Sequence, residues 1–263
     1  MQIVAWDDAV YKEVKREGGI GGRRSFIGMP GSMAEGPQAF LVERPYPNPR
    51  VAPHFHDIDQ FQVIVAGDGR MGKKKVKPIT FQYADAYTPY GPIVGRDNGI
   101  SFFTIRPVAS GGYFAMPGSR RHMPGRAGRN ISGIFDIEHA PLPVGKVERE
   151  ALMDPQVDDV YAEGLRLGPN AAADGVDATT GGQFYLVCTG TLEQDGKTLP
   201  ANSLIYVDPK ETPPTLQAGP EGACVLVMRF PCPSDRPGSD LSKLNGRSEA
   251  DYHMRPEVVE GAR

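Results

Sequence analysis

From Phe40 onward the chain runs in stretches of five to eight residues rich in Val, Ile, Phe, Tyr and Thr, bounded by Gly, Pro, Asp or Asn. That pattern predicts strands over 38–44, 51–56, 60–66, 76–83, 86–88 and 100–106, the rhythm of a meander or jelly roll. Ahead of it, residues 6–16 place polar and apolar side chains at helical spacing behind Asp7 or Asp8 as an N-cap. Gly18 and Gly19 then stop the segment, which predicts a short surface helix. A second strand block is expected at 183–189, 191–193, 203–207 and 223–230. Its spacing copies the first: Gln60, Phe61 and Gly67 sit 123 positions before Gln183, Phe184 and Gly190, and Arg106 sits 123 before Arg229. Pro89 and Pro209 pair at an offset of 120, which a hairpin three residues shorter in the second copy accounts for. Matching anchors on both sides of one small gap indicate a tandem repeat of one β-barrel unit. The expected organisation is an N-terminal barrel with its leading helix over 1–115, a connection over 116–175, a second barrel over 176–232 and a polar tail over 233–263.

Composition agrees with an all-β chain. Of 263 residues, 32 are Gly and 25 are Pro, which works against long helices, while 40% hydrophobic and 23% charged content is ordinary for a folded globular protein. A formal net charge of −3 gives no overall attraction to nucleic acid or to a membrane surface, and neither is expected as a partner. Cys188, Cys224 and Cys232 form an odd set without a CxxC pair, so neither a disulfide framework nor a structural zinc knuckle is expected. A reduced compartment follows, and with no basic, apolar leader at the start the expected location is the cytoplasm. The arginine-rich stretch 118–130 reads as a solvated crossing. Lys73, Lys74, Lys75 and Lys77 read as a charged hairpin loop that protects a sheet edge.

Candidate chemistry concentrates in residues 53–69, PHFHDIDQFQVIVAGDG. His54 and His56 are two apart, so on a strand both imidazoles leave the same face, where two neutral nitrogens can grip one divalent metal ion. Gln60 opens the next strand, within reach of the same point. Alternation puts Gln60, Gln62 and Ile64 on one face and lets Tyr87 or Arg106 project inward from neighbouring strands. No GxGxxG, P-loop, GxSxG or CxxC motif is present.

The arrangement HxHxxxQ followed by Gly67 resembles the first motif of the cupin superfamily, whose usual form carries Glu where Gln60 stands. Pro89 and Gly91 resemble the PxG of the second cupin motif, and Val94 occupies the position of that motif's metal-binding His. The resemblance covers 38–107 and, in degenerate form, 176–231. It implies an all-β bicupin of two tandem jelly rolls. It also implies a divalent metal, iron(II), manganese, zinc or nickel, held by His54, His56 and Gln60, and a small-molecule substrate or ligand contacted by Gln62, Tyr87, Tyr90 and Arg106. His122 and His139 are the remaining candidates for a fourth ligand. In the second copy the histidine positions fall on Asp177 and Thr179, so metal is expected in the first barrel alone. The expectation is a homodimeric, metal-binding bicupin of the non-haem dioxygenase type. The alternative is a non-catalytic or isomerase-like cupin that binds a small, possibly sugar-derived, metabolite in an eroded metal site.

Overall fold

A computed structural model describes residues 1–28, 36–110, 112–123, 128–138, 140–177 and 181–231. His139, Thr179, Cys232 and the 233–263 tail lie outside the described residues. Of the described residues 57% are strand and 4% helix, and the chain divides into two compact units, Val10–Ser132 and Gly133–Cys232, the second including Met1–Ala9. No helix among the described residues is long and apolar enough to cross a membrane.

In the first unit a nine-stranded antiparallel sheet runs Asn130–Ile134, Thr80–Ala84, Gln60–Met71, Ile93–Arg106, Gln38–Arg44, Gly19–Ile27 and Val10–Arg16, with Arg50–Val51 and Lys74–Val76 paired alongside. A two-stranded pair, His54–Phe55 with Phe114–Ala115, completes it. The second unit carries an eight-stranded sheet running Gln2–Val4, Leu204–Val207, Gln183–Gln194, Thr215–Arg229, Tyr161–Leu167 and Val147–Ala151, with Ala172–Asp174 and Lys197–Pro200 alongside.

The 123-residue offset runs deeper than the motif anchors. Gln38–Arg44 maps onto Tyr161–Leu167, Gln60–Met71 onto Gln183–Gln194, and the end of Ile93–Arg106 onto the end of Thr215–Arg229. Even the irregularities repeat. Gly67 has φ +74 and Gly190 has φ +69, and a Cβ on either would lie 2.2 or 2.0 Å from the carbonyl oxygen of Gly99 or Gly222, which are again 123 apart. Close strand approach at a left-handed residue admits only glycine there. Gly67→Ala should therefore cost about 1–3 kcal/mol, read as a lower denaturant midpoint; an unchanged midpoint would mean the bulge relaxes freely.

Three expectations change. Residues 10–16 form a strand, because the segment Val10–Arg16 pairs with Gly19–Ile27 from Val10 opposite Ser25 to Arg16 opposite Gly19; Gly18, at φ +95, makes the hairpin turn and ends no helix. In seven residues of mixed polarity helical and strand periodicities overlap, and only a 3-10 turn at Trp6–Asp8 remains helical. Residues 86–88 form a turn, with the Ala86 amide donating to Asp59 Oδ1 (2.9 Å) and Tyr87 at φ 62. The segment 116–175 contributes Val147–Ala151, Tyr161–Leu167 and Ala172–Asp174 to the second sheet. Its charged residues mask these strands: Glu148, Arg149 and Glu150 follow one another on the exposed Val147–Ala151, and Glu163 and Arg166 interrupt the largely buried Tyr161–Leu167.

The two interiors differ at paired positions. Gln62 lies opposite Thr104 in the first unit, whereas 123 residues on Tyr185 lies opposite Val227. Tyr185 and Val227 join Leu165, Val187, Leu192 and Val225 in a packed apolar core. The first unit keeps a polar floor at those places.

Candidate functional site

The short strand His54–Phe55 fixes the histidine pair. His54 exchanges backbone hydrogen bonds with Tyr90 (3.1 and 2.9 Å), and Phe55 anchors the strand by stacking on Phe114 at 4.8 Å. His54 and His56 are both buried, and their rings meet edge to face, centroids 5.2 Å apart. A carbonyl can only accept, so the His54 Nδ1–H donates to Ala52 O (2.8 Å) and the His56 Nδ1–H donates to Gly112 O. Both lone pairs then lie on Nε2, the form a metal-binding histidine takes.

Both rings are already in contact with polar neighbours. His54 Nε2 accepts from the Tyr90 hydroxyl (2.7 Å), which in turn accepts from Gln62 Nε2 (2.8 Å). Arg106 Nη2 lies 3.1 Å from both ring nitrogens of His56, Nδ1 and Nε2, and so sits over the imidazole. Gln60 Oε1 accepts from Arg106 Nε at 3.5 Å, and Gln38 Oε1 accepts from Arg106 Nη1 and from the Ser110 amide, both 3.2 Å. Ser110 Oγ donates to the buried carboxylate of Asp57 (2.6 Å). A guanidinium thus occupies the point on which His56 and Gln60 converge.

The surroundings determine the charge states. Burial pulls the His54 imidazole down to about 3, with the Arg106 and Arg44 cations adding to the effect against the opposing Ala52 hydrogen bond. His56 is held well below its ordinary value, first by burial and then by Arg106 and His54. Burial raises the Tyr90 hydroxyl. Burial also lowers Arg106 to about 10, against the nearby Tyr90 and Asp57, so at neutral pH the imidazoles are neutral and the guanidinium is charged.

His54, His56, Gln62 and Arg106 line a cavity of about 640 Å³. Its charged lining consists of Arg16, Arg23, Arg44, Arg50 and Arg106 against one acid, Glu17. Gln60 and Tyr90 stand behind the floor, reaching the cavity through Arg106 and His54. Tyr87, expected at the substrate, is not among the lining residues; the turn at φ 62 directs it into a cluster with Phe55, Ala86 and Phe114. Val94 pairs with Arg50 and Arg70 in its strands. His122 is half-buried in the 3-10 turn Gly118–His122 and meets the edge of Phe114. Neither supplies a fourth ligand. Sequence reasoning missed Arg23, Arg44, Gln38, Ser110 and Tyr113, whose ring stacks on His54 at 4.2 Å. Strand alternation marks Arg44 as sharing a face with Phe40 and Val42, but Arg23 joins that face only through its pairing with Val42.

As placed, these residues do not fit a divalent cation. The donors converge on a permanent positive charge, Gln60 supplies no carboxylate to balance a second one, and no group of three or more His, Cys, Asp or Glu able to hold a metal occurs among the described residues.

No family profile matches the sequence, and no curated protein matches it. Solved structures do match in three dimensions. A "putative dioxygenase" from Nostoc punctiforme aligns over 94% of this chain and 86% of its own, at 11% identity and a TM-score of 0.61. The oxalate decarboxylase of Lactobacillus farciminis, solved as a formate complex, aligns over 97% of this chain and 96% of its own, at 12% identity and a TM-score of 0.56. A variant of Bacillus subtilis oxalate decarboxylase aligns over 87% of this chain and 77% of its own, at 13% identity and a TM-score of 0.57. The fold is that of the cupins. At these identities the likeness extends to the fold alone.

Proposed function

We propose that the N-terminal barrel binds a small organic carboxylate on a guanidinium where other cupins place a metal. The observation that carries this reading is Arg106. It is a buried cation whose hydrogen-bond acceptors, Gln38, Gln60 and His56, are all neutral, at the floor of a cavity lined by five arginines and a single acid. The nearby acid is Asp57, whose carboxylate also accepts from Ser110; an anionic ligand on the remaining guanidinium N–H groups would further offset the cost of the buried charge. Phe40 and Phe102 supply the apolar wall that such pockets use for the rest of a ligand. Two of the similar folds bear the name oxalate decarboxylase, and one of them was solved with formate. That chemistry is compatible with a carboxylate here.

The second reading is a metal-dependent oxidoreductase of the dioxygenase type. One specific observation favours it: both histidines present Nε2 lone pairs, held in that tautomer by the carbonyls of Ala52 and Gly112. Among the similar folds, Bacillus subtilis oxalate decarboxylase is described with Mn(II) centres. One melting experiment separates the readings. A ligand that binds only the folded state stabilises it by about 2.7 kcal/mol at a hundredfold excess over Kd, roughly 5–10 °C for a chain of this size. Small carboxylates should give that shift on metal-stripped protein, while iron(II), manganese and zinc give none. A metal-induced shift that disappears in the His54→Ala, His56→Ala variant would establish the second reading instead.

A further inference from the structure

The cavity receives cations from more than one strand. Arg106 holds the floor, while Arg23 and Arg44 stand on the wall formed by Gly19–Ile27 and Gln38–Arg44. The guanidinium carbons of Arg23 and Arg106 lie 4.9 and 5.3 Å from the centre of the same Phe40 ring, so they are at most about 10 Å apart. Arg23 has no hydrogen-bond or ion-pair partner among the described residues, and its buried Nε is unsatisfied. Arg44 donates from Nη1 to Arg50 O (2.9 Å), and its buried Nε is likewise unsatisfied. Gln62 Oε1, on the floor, is a buried acceptor without a donor. Buried donors of this strength are seldom left unmade in a folded protein, and here they open on a single cavity from two places.

We infer that the ligand is a dianion with two separated acidic groups, one held by Arg106 and the other by Arg23 and Arg44, with its carbon chain against Phe40. The inference rests on the carboxylate reading above and narrows it to a class, the aliphatic dicarboxylates or their hydroxy and oxo derivatives. Guanidinium suits this task because it meets a carboxylate with two parallel N–H groups. Gln62 Oε1 would accept a hydrogen bond from a hydroxyl on the chain. Arg16, exposed to Coulombic contact with both Arg23 and Arg44, adds positive potential at those two arginines.

The test is a calorimetric panel on the full-length, metal-stripped protein: oxalate, malonate, succinate, glutarate and adipate, against acetate, butyrate, valerate and caproate, with inorganic phosphate as a compact dianion. At least one of succinate, glutarate and adipate should bind tenfold or more tightly than the monocarboxylate of equal carbon count. Oxalate, the shortest of the series, should gain least, less than threefold over acetate. Arg23→Gln should remove that tenfold preference and shift monocarboxylate affinity by less than twofold. Equal affinity for mono- and dicarboxylates would overturn the dianion and leave the carboxylate reading standing, whereas no binding by any carboxylate would sink that reading itself. Phosphate binding as tightly as the best dicarboxylate would overturn the two-point geometry, as would an Arg23→Gln variant that weakens both classes by the same factor. If Arg23→Gln fails to fold, Arg44→Gln and the panel on the parent protein decide.

Discussion

Arg106→Met should weaken binding of the best carboxylate by roughly 30-fold to several thousandfold, because truncating one side of a buried, hydrogen-bonded charge pair costs about 2–5 kcal/mol. The same substitution should leave thermal stability nearly unchanged, and that contrast is the informative part. A guanidinium pulled down to about 10 by burial pays about 3 kcal/mol for its position in the ligand-free protein, and methionine removes that penalty while filling similar volume. Against this, Gln60 Oε1 and His56 Nε2 lose their donor, at about 1–3 kcal/mol each. Gln38 keeps the Ser110 amide. The opposing contributions are similar in size, so binding is lost with little change in melting temperature. A loss of stability beyond about 4 kcal/mol, measured by urea unfolding of the ligand-free variant, would make Arg106 a structural keystone and remove the main support for a ligand at its position.

The barrel repeat was legible because its anchors are backbone features. Gly67 and Gly190 must be glycine for the strands to approach, and such positions keep their spacing when side chains around them change. Tyr161–Leu167 escaped notice although it sits at the same offset from Gln38–Arg44, because Glu163, Gly164 and Arg166 interrupt its apolar residues even though the strand is buried or half-buried throughout. The histidine pair and Arg106 were legible from alternation on single strands. What they do together was not: the Arg106 contacts to Gln60, Gln38 and His56 span 46, 68 and 50 residues of sequence. Replacement of the usual acid by Gln60 reads, in one dimension, as a weakened metal ligand. In three dimensions it is a neutral acceptor suited to a cation that the chain itself supplies. The arginine wall was invisible for a similar reason, since Arg23 reaches the cavity only through the register of one strand on the next.

Stability should fall steeply in mild acid, with His54 and His56 responsible. In the unfolded chain each imidazole takes up its proton near pH 6.5, whereas in the folded chain His54 stays neutral down to about 3 and His56 is also held well below its ordinary value. Their folded-state values are depressed, so no stability is lost above about pH 6.5. Below that the unfolded state binds more protons, and stability falls by about 1.4 kcal/mol per pH unit for each histidine. Two units of acidification would then remove about 2.7 kcal/mol through His54 alone, with His56 adding in the same direction, against a whole-domain stability of about 5–15 kcal/mol. Denaturant unfolding at pH 7, 6 and 5 should show this slope in the parent and lose most of it in the His54→Asn, His56→Asn variant. Carboxylates elsewhere titrate in both proteins and cancel in the difference. Parallel slopes would mean that the two rings reach water and take up protons while the protein stays folded, and a cavity that opens so readily could not hold Arg106 and its ligand in the buried arrangement proposed.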